Sequence, residues 1–405
     1  MGALSGMRVL ELAHIMSGPT AGMLLADLGA DVIKVEKVPD GDDTRRFTPP
    51  EVNGEASAFM MMNRNKRGIA LDLKMPAGRR ALLRMIDSTD VTIENFRAGT
   101  MERLGLGYET LRKTNPALIH CAISGYGRTG PDAGKGGFDL VAQGLSGLMR
   151  ITGEPGGPPT KVGSPVTDIN AGILAALGIV TAYIHRLRTG EGQLVDTSLL
   201  EAGVMQTFWQ SAIYLGSGVE IGPLGSGHPL TAPYQAFRTR DGWITVGASN
   251  QANYLRLAQV LEAPELAQDA RFRDNAGRMQ NLPALVELLT QRFERRTSAE
   301  WISALDAAGV PAGPVLTIAE MLELPQVKAR DMLVQTEHPQ AGATKAIGCP
   351  VKLSATPPSI RRPAPLYGEH TREVLLEFGF TGEEVRDLIN AGAAIQHATN
   401  ADPVR

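Results

Sequence analysis

Two cysteines, Cys121 and Cys349, are all that 405 residues contain. That number cannot build a disulfide framework, and Cys121 lies in the apolar run 118–124, where a buried packing role is the simpler account. A reducing compartment is therefore expected. There is no basic excess: formal net charge is −3 and the isoelectric point is near 6.2, which argues against nucleic acid as the main partner. The opening MGALSGMRVL has no basic stretch followed by a long apolar one, and Gly6 stands where a myristoylation signal needs Ser or Thr. No apolar run is read as approaching the ~20 residues that span a bilayer, so the expectation is a cytoplasmic protein without a membrane partner. Histidines are scattered, with no HExxH or paired CxxC, so no metal site is expected. A GxSxG elbow is also missing, which weakens a serine-hydrolase reading.

What is present is a chain of ordinary globular composition, 43% hydrophobic and 20% charged, long enough for about two domains. A strand at 7–12, a helix opened by Gly18-Pro19 and running to 28, and a strand at 31–36 form a βαβ unit. Alternation continues through a helix at 76–87, a strand at 91–94, a helix at 108–114 and a strand at 118–124. The Gly-rich loop 125–137 and a helix at 138–148 follow. This predicts an α/β protein with a doubly wound parallel sheet in a large domain over 1–202. Residues 203–228 read as a linker that begins with a helical stretch around 205–214, and 229–330 as a smaller α+β domain. That domain is expected to contain a hairpin at 234–247 turned by Asp241-Gly242, and helices at 282–293 and 298–308. Residues 331–405 return as a Pro-rich extended stretch with two short helices, frayed from Ala393 onward.

The chain is organised around residues 161–202. After Thr167-Asp168 comes an apolar series at helical spacing, Ile173, Leu177, Val180, Ile184 and Leu187, read as the core-facing stripe of one long helix. Arg186 and Arg188 fall in its last turn, Gly190 and Gly192 stop it, and 193–198 reads as a strand. Asp168 has two readings. As an N-cap it satisfies free backbone amides; as a nucleophile it is held ionised by the helix dipole beside NH groups that can receive an oxyanion. Residue chemistry does not choose between them.

The first βα turn, HIMSGPTAG, invites a dinucleotide reading with Glu36 as the ribose acid, but only Gly18 and Gly22 are in place and Pro19 removes an amide. Pro19 is better read as the first residue of a helix and Glu36 as a solvated strand end. Arg64, Lys66, Arg67 and Lys74, with Lys37, form either a solvated turn or a pocket wall for several phosphates. The loop SGYGRTGP is a surface turn or flexible backbone at a ligand edge, and His14 and His228 read as structural.

Taken together, RVLELAHIMSGPTAGMLLADLGADVIKVEK, NRNKRGIALDLK, VTIENFRAGTMERLGLGY, SGYGRTGP, GGFDLVAQGLSGLMRITG, VTDINAGILAALG, TGEGQLVDTSLLEA and LYGEHTREVL closely resemble the class III CoA-transferase family, in order and over nearly the whole chain. The resemblance is to the branch with formyl-CoA:oxalate and carnitine CoA-transferases, nearest to its succinate:hydroxymethylglutarate CoA-transferase-like members. It implies an interlocked homodimer of Rossmann-like large domains, with no permanently bound cofactor and coenzyme A or acyl-CoA as substrate. Position by position, it makes Asp168 the catalytic residue, passing through an aspartyl anhydride and an aspartyl-CoA thioester to a carboxylate acceptor such as succinate or glutarate. It places Ile15, Lys37, Leu71, Lys74, Asn95, Phe96 and Arg103 at the CoA site, joined by Gly136, Gly137 and Phe138. Met16 and the sequence Gly247-Ala-Ser-Asn-Gln251 depart from the oxalate-specific pattern and weigh against oxalate as acceptor. Arg46 or His228 is a candidate for binding a distal carboxylate. Two alternatives remain. One is an α-methylacyl-CoA racemase, disfavoured because Phe138 stands where those enzymes carry a histidine; the other is a silent CoA-binding protein with Asp168 as a mere cap.

Overall fold

The computed structural model describes residues 2–398. Among the described residues it divides into two compact units: the first holds 2–147, 162–206 and 325–398, and the second holds 148–161 and 207–324. The chain thus enters the second unit twice. Residues 148–161, expected in the large domain, belong to the second unit, and the expected linker 203–228 contains a ten-residue helix, Phe208–Ser217.

The first unit is built on a seven-stranded sheet. Its strands are β1 (Arg8–Glu11), β2 (Asp31–Glu36), β3 (Lys66–Leu71), β4 (Val91–Glu94), β5 (Ile119–Ser124), β6 (Leu194–Ser198) and β7 (Ala394–Ile395). In space they run β7-β3-β2-β1-β4-β5-β6. All pairings are parallel except β7 on β3, where Ala394 lies opposite Leu71. The six parallel strands therefore follow the order 3-2-1-4-5-6, which reverses between β1 and β4 and opens a crevice at their carboxyl ends. The residues from Ala393 onward, read as frayed, instead give the sheet its last strand, with Ala393 and Ala394 fully buried.

Successive residues of a strand face opposite ways, and the sequence uses both sides. Val9, Val32 and Ile93 enter a core with helices α1 (Ser17–Asp27) and α4 (Val166–Thr189). Leu10, Ile33 and Ile69 enter a second core with α2 (Pro76–Ile86) and the late helices Thr371–Glu377 and Gly382–Asn390. Pro19 sits third in α1 instead of first. The expected helix at 138–148 is two: α3 (Asp139–Leu145), with Phe138 as its N-cap, and a separate turn at Leu148–Ile151.

Helix α4 overturns the stripe expected of it, except at Val180, which packs against the core. Ile173, Leu177, Ile184 and Leu187 are 47, 63, 45 and 70% exposed, while Ala171, Gly172, Ala175, Ile179 and Ala182 are buried. Small residues win the inner face because α1 comes so near that a Cβ at Gly172 would lie 2.5 Å from the Ser17 carbonyl oxygen. By length and composition α4 also passes as a membrane-crossing helix, contrary to the expectation that no such segment exists. Its inner face is part of the core of the first unit.

Beneath the β1 turn lies a closed set of buried charges. Lys34 Nζ is 3.0 Å from Glu11 Oε1 and 2.8 Å from Asp42 Oδ2, and Lys66 Nζ is 2.8 Å from Glu11 Oε2; none of these side chains exceeds 1% exposure. Burial opposes the charge on Lys34, but Asp42 and Glu11 hold its pKa above the usual value. Nearby, Arg64 pairs with Asp27 at 2.6 Å, and Arg67 pairs with Asp31, Glu373 and Glu377. Glu36, read as solvated, is buried and takes the Asp42 amide at 2.9 Å and the Arg45 guanidinium at 2.7 Å.

The second unit packs a three-stranded antiparallel sheet, of order Ala312–Pro314, Trp243–Gly247, Tyr234–Arg238, on helices that include Leu282–Phe293 and Ser298–Ala307. Its hairpin turns through four residues: the Thr239 amide donates to the Gly242 carbonyl at 3.0 Å. Neither Asp241 nor Gly242 takes a positive φ, so the tight two-residue turn is not formed. In the first unit, Leu333–His338 and Gly342–Ile347 make a second hairpin within the stretch expected to be extended.

Replacing Glu11 by Gln leaves Lys66 buried without a counterion. Urea unfolding is expected to show a loss of about 3–5 kcal/mol; a loss below 1 kcal/mol would show that the network relaxes without its shared carboxylate.

Candidate active site

The loops that follow β1, β2, β3 and β4 all emerge at the carboxyl edge of the sheet. Together they enclose a cleft of about 370 Å³ lined by Leu12, His14, Lys37, Leu71, Lys74 and Phe96, among others. Four residues expected at a CoA site, Lys37, Leu71, Lys74 and Phe96, thus meet in one place. Lys74 makes no ion pair among the described residues, whereas Lys37 Nζ rests on Asp43 at 2.7 Å. Arg103 donates to the Thr100 hydroxyl at 2.8 Å, and Thr100 is in the cleft wall. Arg64, Lys66 and Arg67 are not in this wall; their charges are consumed by the buried pairs described above.

Asn95 works through its neighbours. Its side chain accepts the His14 amide at 2.9 Å and donates to the His14 carbonyl at 2.7 Å. From the other side, Asp42 accepts the Ile15 amide at 3.2 Å. Between these clamps Ile15 takes φ 68°, a left-handed conformation that a β-branched residue adopts only under constraint. The buried charge network is what makes Asp42 rigid: burial would raise its carboxyl, but Lys34 and the Thr44 amide hold it well below the usual range.

The chain after β5 contributes the glycine loop. Gly125 and Gly137 back onto each other so closely that a Cβ at 137 would lie 2.4 Å from the Gly125 Cα. A Cβ at Gly136 would lie 2.8 Å from the Arg97 guanidinium. Phe138 is 64% exposed. Next to it, Asp139 accepts the Thr167 amide at 2.9 Å and hydroxyl at 2.7 Å, while Gln143 donates to the second Asp139 oxygen at 2.8 Å. That arrangement fixes the start of α4.

Asp168 is the third residue of α4, not its N-cap; Pro165 holds that place and makes no side-chain cap. The Asp168 carboxylate has no hydrogen bond or ion pair among the described residues, so the capping account has nothing to rest on. Arg186, near the far end of α4, pairs with Asp90, just before β4 begins. The C-terminus of α4 is therefore at the amino edge of the sheet and Asp168 at the carboxyl edge, with the cleft. Burial first, then the neighbouring Asp139, raises the Asp168 pKa to about 7.

The family model for CoA-transferase family III matches residues 4–371. The chain belongs to that family. It is accordingly an enzyme that transfers CoA. As a family III CoA-transferase it is 38% identical over 400 residues to the succinyl-CoA:glutarate CoA-transferase of Mus musculus, covering 98% of this chain and 92% of the relative. It is 40% identical to the succinate–glutarate CoA-transferase of Agrobacterium fabrum, with 92% and 95% covered. A CAIB/BAIF family protein from Brucella suis has the same fold at TM-score 0.83 and 38% identity, with 93% and 99% covered.

Two features of this CoA-transferase, in the cleft wall and next to it in sequence, escaped the sequence reading. His14, taken as structural, lines the cleft with its ring 4.9 Å from that of Phe96, and burial lowers its pKa. Arg97 follows directly on Asn95-Phe96 and makes no ion pair among the described residues; its place in the tripeptide Asn95-Phe96-Arg97 was the available signal. Of the carboxylate candidates, Arg46 in the first unit is tied to Asp43 at 2.5 Å. His228, in the second unit, lies between Trp209 and Tyr234 and accepts the Leu230 amide on Nδ1 at 3.1 Å.

An acid whose folded pKa is raised binds protons that the unfolded chain has released, so it lowers stability as pH climbs from about 4 to about 7. Asp168→Asn is expected to melt higher than the parent at pH 8 and level with it at pH 4, by scanning calorimetry. Equal melting at pH 8 would place the carboxylate in solvent.

Proposed function

We propose that this enzyme moves CoA between succinyl-CoA and a second dicarboxylate such as glutarate, with Asp168 as the covalent carrier. The observation that carries the reading is the unpartnered Asp168 carboxylate at the carboxyl edge of the sheet, on the same edge as a cleft lined by Lys37 and Lys74. The dicarboxylate choice rests on the names of the two relatives.

In this mechanism an Asp168 oxygen attacks the thioester carbonyl, the C–S bond breaks, and CoA leaves as thiolate from a mixed aspartyl anhydride. The thiolate then attacks the Asp168 carbonyl, releasing the donor acid and leaving aspartyl-CoA thioester. The acceptor carboxylate attacks that thioester and expels the thiolate, which finally attacks the acceptor carbonyl and frees Asp168. Each step forms one acyl bond as it breaks another, and the Asp168 carrier keeps the activated group enzyme-bound between donor and acceptor. The N-terminal turn of α4 offers positive dipole to the oxyanions that form. Within this reading, Lys37, Lys74, Arg97 and Arg103 take the phosphates, and Leu71, Phe96 and His14 the apolar part of CoA. Ile15 and Asn95 shape the turn, and Gly136, Gly137 and Phe138 form the loop beside Asp168.

A homodimer is part of the proposal. The outer face of α4, with Leu177 and Leu187, is a row of exposed apolar side chains, and Phe208, Trp209 and Leu215 are exposed on the helix Phe208–Ser217. The double passage of the chain between units suits an interlocked pair. Both thiols are buried and free, consistent with a reducing cytoplasm.

Incubation with succinyl-CoA and a panel of acids, followed by mass spectrometry of new CoA esters, is expected to give glutaryl-CoA, with hydroxylamine trapping an acyl adduct on Asp168. Asp168→Ala should lose turnover by about 10⁴-fold or more while still binding CoA. Full turnover in Asp168→Ala, or scrambling of a chiral 2-methylacyl-CoA without exchange, would sink the carrier role. Light scattering should give twice the 43.2 kDa chain mass, and Leu177→Glu with Leu187→Glu should give monomer; an unchanged mass would move the interface elsewhere.

A further inference from the structure

Glu94 is a buried carboxylate, 2% exposed, that the transfer steps above do not use. It stands at the end of β4, beside the cleft, and its two oxygens reach in different directions. Oε2 accepts the Phe96 amide at 2.7 Å, which fixes the backbone of the cleft wall. Oε1 accepts from the Arg128 guanidinium at 3.3 Å, and Arg128 belongs to the glycine loop 125–137. Arg128 is the point at which that loop is tied down: its second guanidinium nitrogen donates to Glu102, and its backbone amide donates to Asp196 at 3.1 Å. The loop closes where Gly125 and Gly137 meet, and it leads into Asp139, which in turn fixes Thr167 next to Asp168. One carboxylate therefore joins the cleft wall to the loop that runs on to the nucleophile.

We infer that Glu94 is a positioning residue for CoA transfer, holding loop 125–137 through Arg128 in the register that the Asn95-Phe96 wall requires. The inference rests on the reading of the cleft as the CoA site. Glu94 acts through other residues and touches no reacting atom.

The chemistry around it makes the tether sensitive to pH. Burial raises the Glu94 pKa to about 7, against the pull of the Phe96 amide and Arg128. The other groups that face it are Glu102, Asp196 and, on β5, His120 and Cys121. His120 has its Nδ1 at 2.7 Å from the Thr92 hydroxyl and its Nε2 unpartnered, and burial, then Arg128, lowers its pKa to about 4, so it adds no charge near neutrality. Above pH 7 the Glu94–Arg128 contact is charge-assisted at both ends; below it Glu94 carries a proton and the contact weakens.

The test uses the full chain with Asp168→Asn as parent, which removes the titration of the nucleophile. Glu94→Gln, Arg128→Gln and the double variant are compared by CoA calorimetry and by hydrogen–deuterium exchange of loop 125–137, at pH 8 and pH 6. Each single variant should weaken CoA by about tenfold at pH 8 and speed loop exchange, with the double variant no worse than either single. The parent should lose affinity between pH 8 and pH 6 by a larger factor than Glu94→Gln; titration of the CoA phosphates is common to both. Multiplying single effects, unaltered loop exchange, or identical pH dependence in parent and Glu94→Gln would each overturn the inference. Arg128 is partly exposed, so Arg128→Gln reads the tether even if Glu94→Gln fails to fold. A parent that binds no CoA would remove the cleft reading and this one together, whereas CoA binding untouched by either single variant would remove only this one.

Discussion

The carboxyl edge of the large sheet depends on an ionic floor. Lys34 and Lys66 share Glu11, and Lys34 also holds Asp42, in a set of side chains that water does not reach. These ions hold backbone as well as one another: Lys34 donates to the Ala13 carbonyl at 2.9 Å, Lys66 to the Pro19 carbonyl at 3.0 Å, and Asp42 accepts the Ile15 amide. The turn after β1 is thus fixed from below by charge, in addition to the apolar packing of Leu12 and Ala13. Burying ions is costly unless each is matched, so the turn has few other arrangements open to it. That is how Ile15 is kept in a conformation its side chain disfavours.

The same edge carries three carboxylates, one held ionised and two raised toward neutrality, and their surroundings account for the difference. Asp42 is matched by an ammonium and three donors and stays ionised throughout the working range. Asp168 has burial and a second carboxylate for company, which lifts it to about 7 and leaves it free to react. Glu94 is as deeply placed as Asp42 but has only one amide and one arginine that Glu102 shares, so it too lies near 7. Separating the affinities of like groups by environment is a common way for one site to assign different tasks to the same side chain.

The β/α alternation was legible because each strand is a short apolar run bounded by turn residues; the strand Val91–Glu94 and the helix Leu282–Phe293 fall where their patterns end. Helix α4 was misread because the eye follows large residues, and Ile173, Leu177, Ile184 and Leu187 do keep helical spacing, but on the outer face. Its inner face is written in Ala and Gly, which hydropathy weighs little. Arg64, Lys66 and Arg67 looked like phosphate ligands because their counterions are remote in the chain; Glu373 and Glu377 meet Arg67 across about three hundred residues. Strand β7 was invisible for the same reason, being two residues long and defined by its partner. Asp168, Lys37, Leu71, Lys74 and Phe96 were found by resemblance, and only the structure shows the cleft residues sharing a wall.

The seam between α1 and α4 has a mechanical meaning. Asp168 is one helical turn from Gly172, on the same face, and Gly172 abuts the carbonyl of Ser17 with no room for a methyl group. Gly172 bears there on the Ser17 carbonyl and the Thr20 side chain, so the seam acts as a gauge block that sets the distance from the proposed carrier carboxylate to the β1 turn. Attempts to recast this scaffold for other acids would have to work on the loops, because a gauge block can be removed but not adjusted.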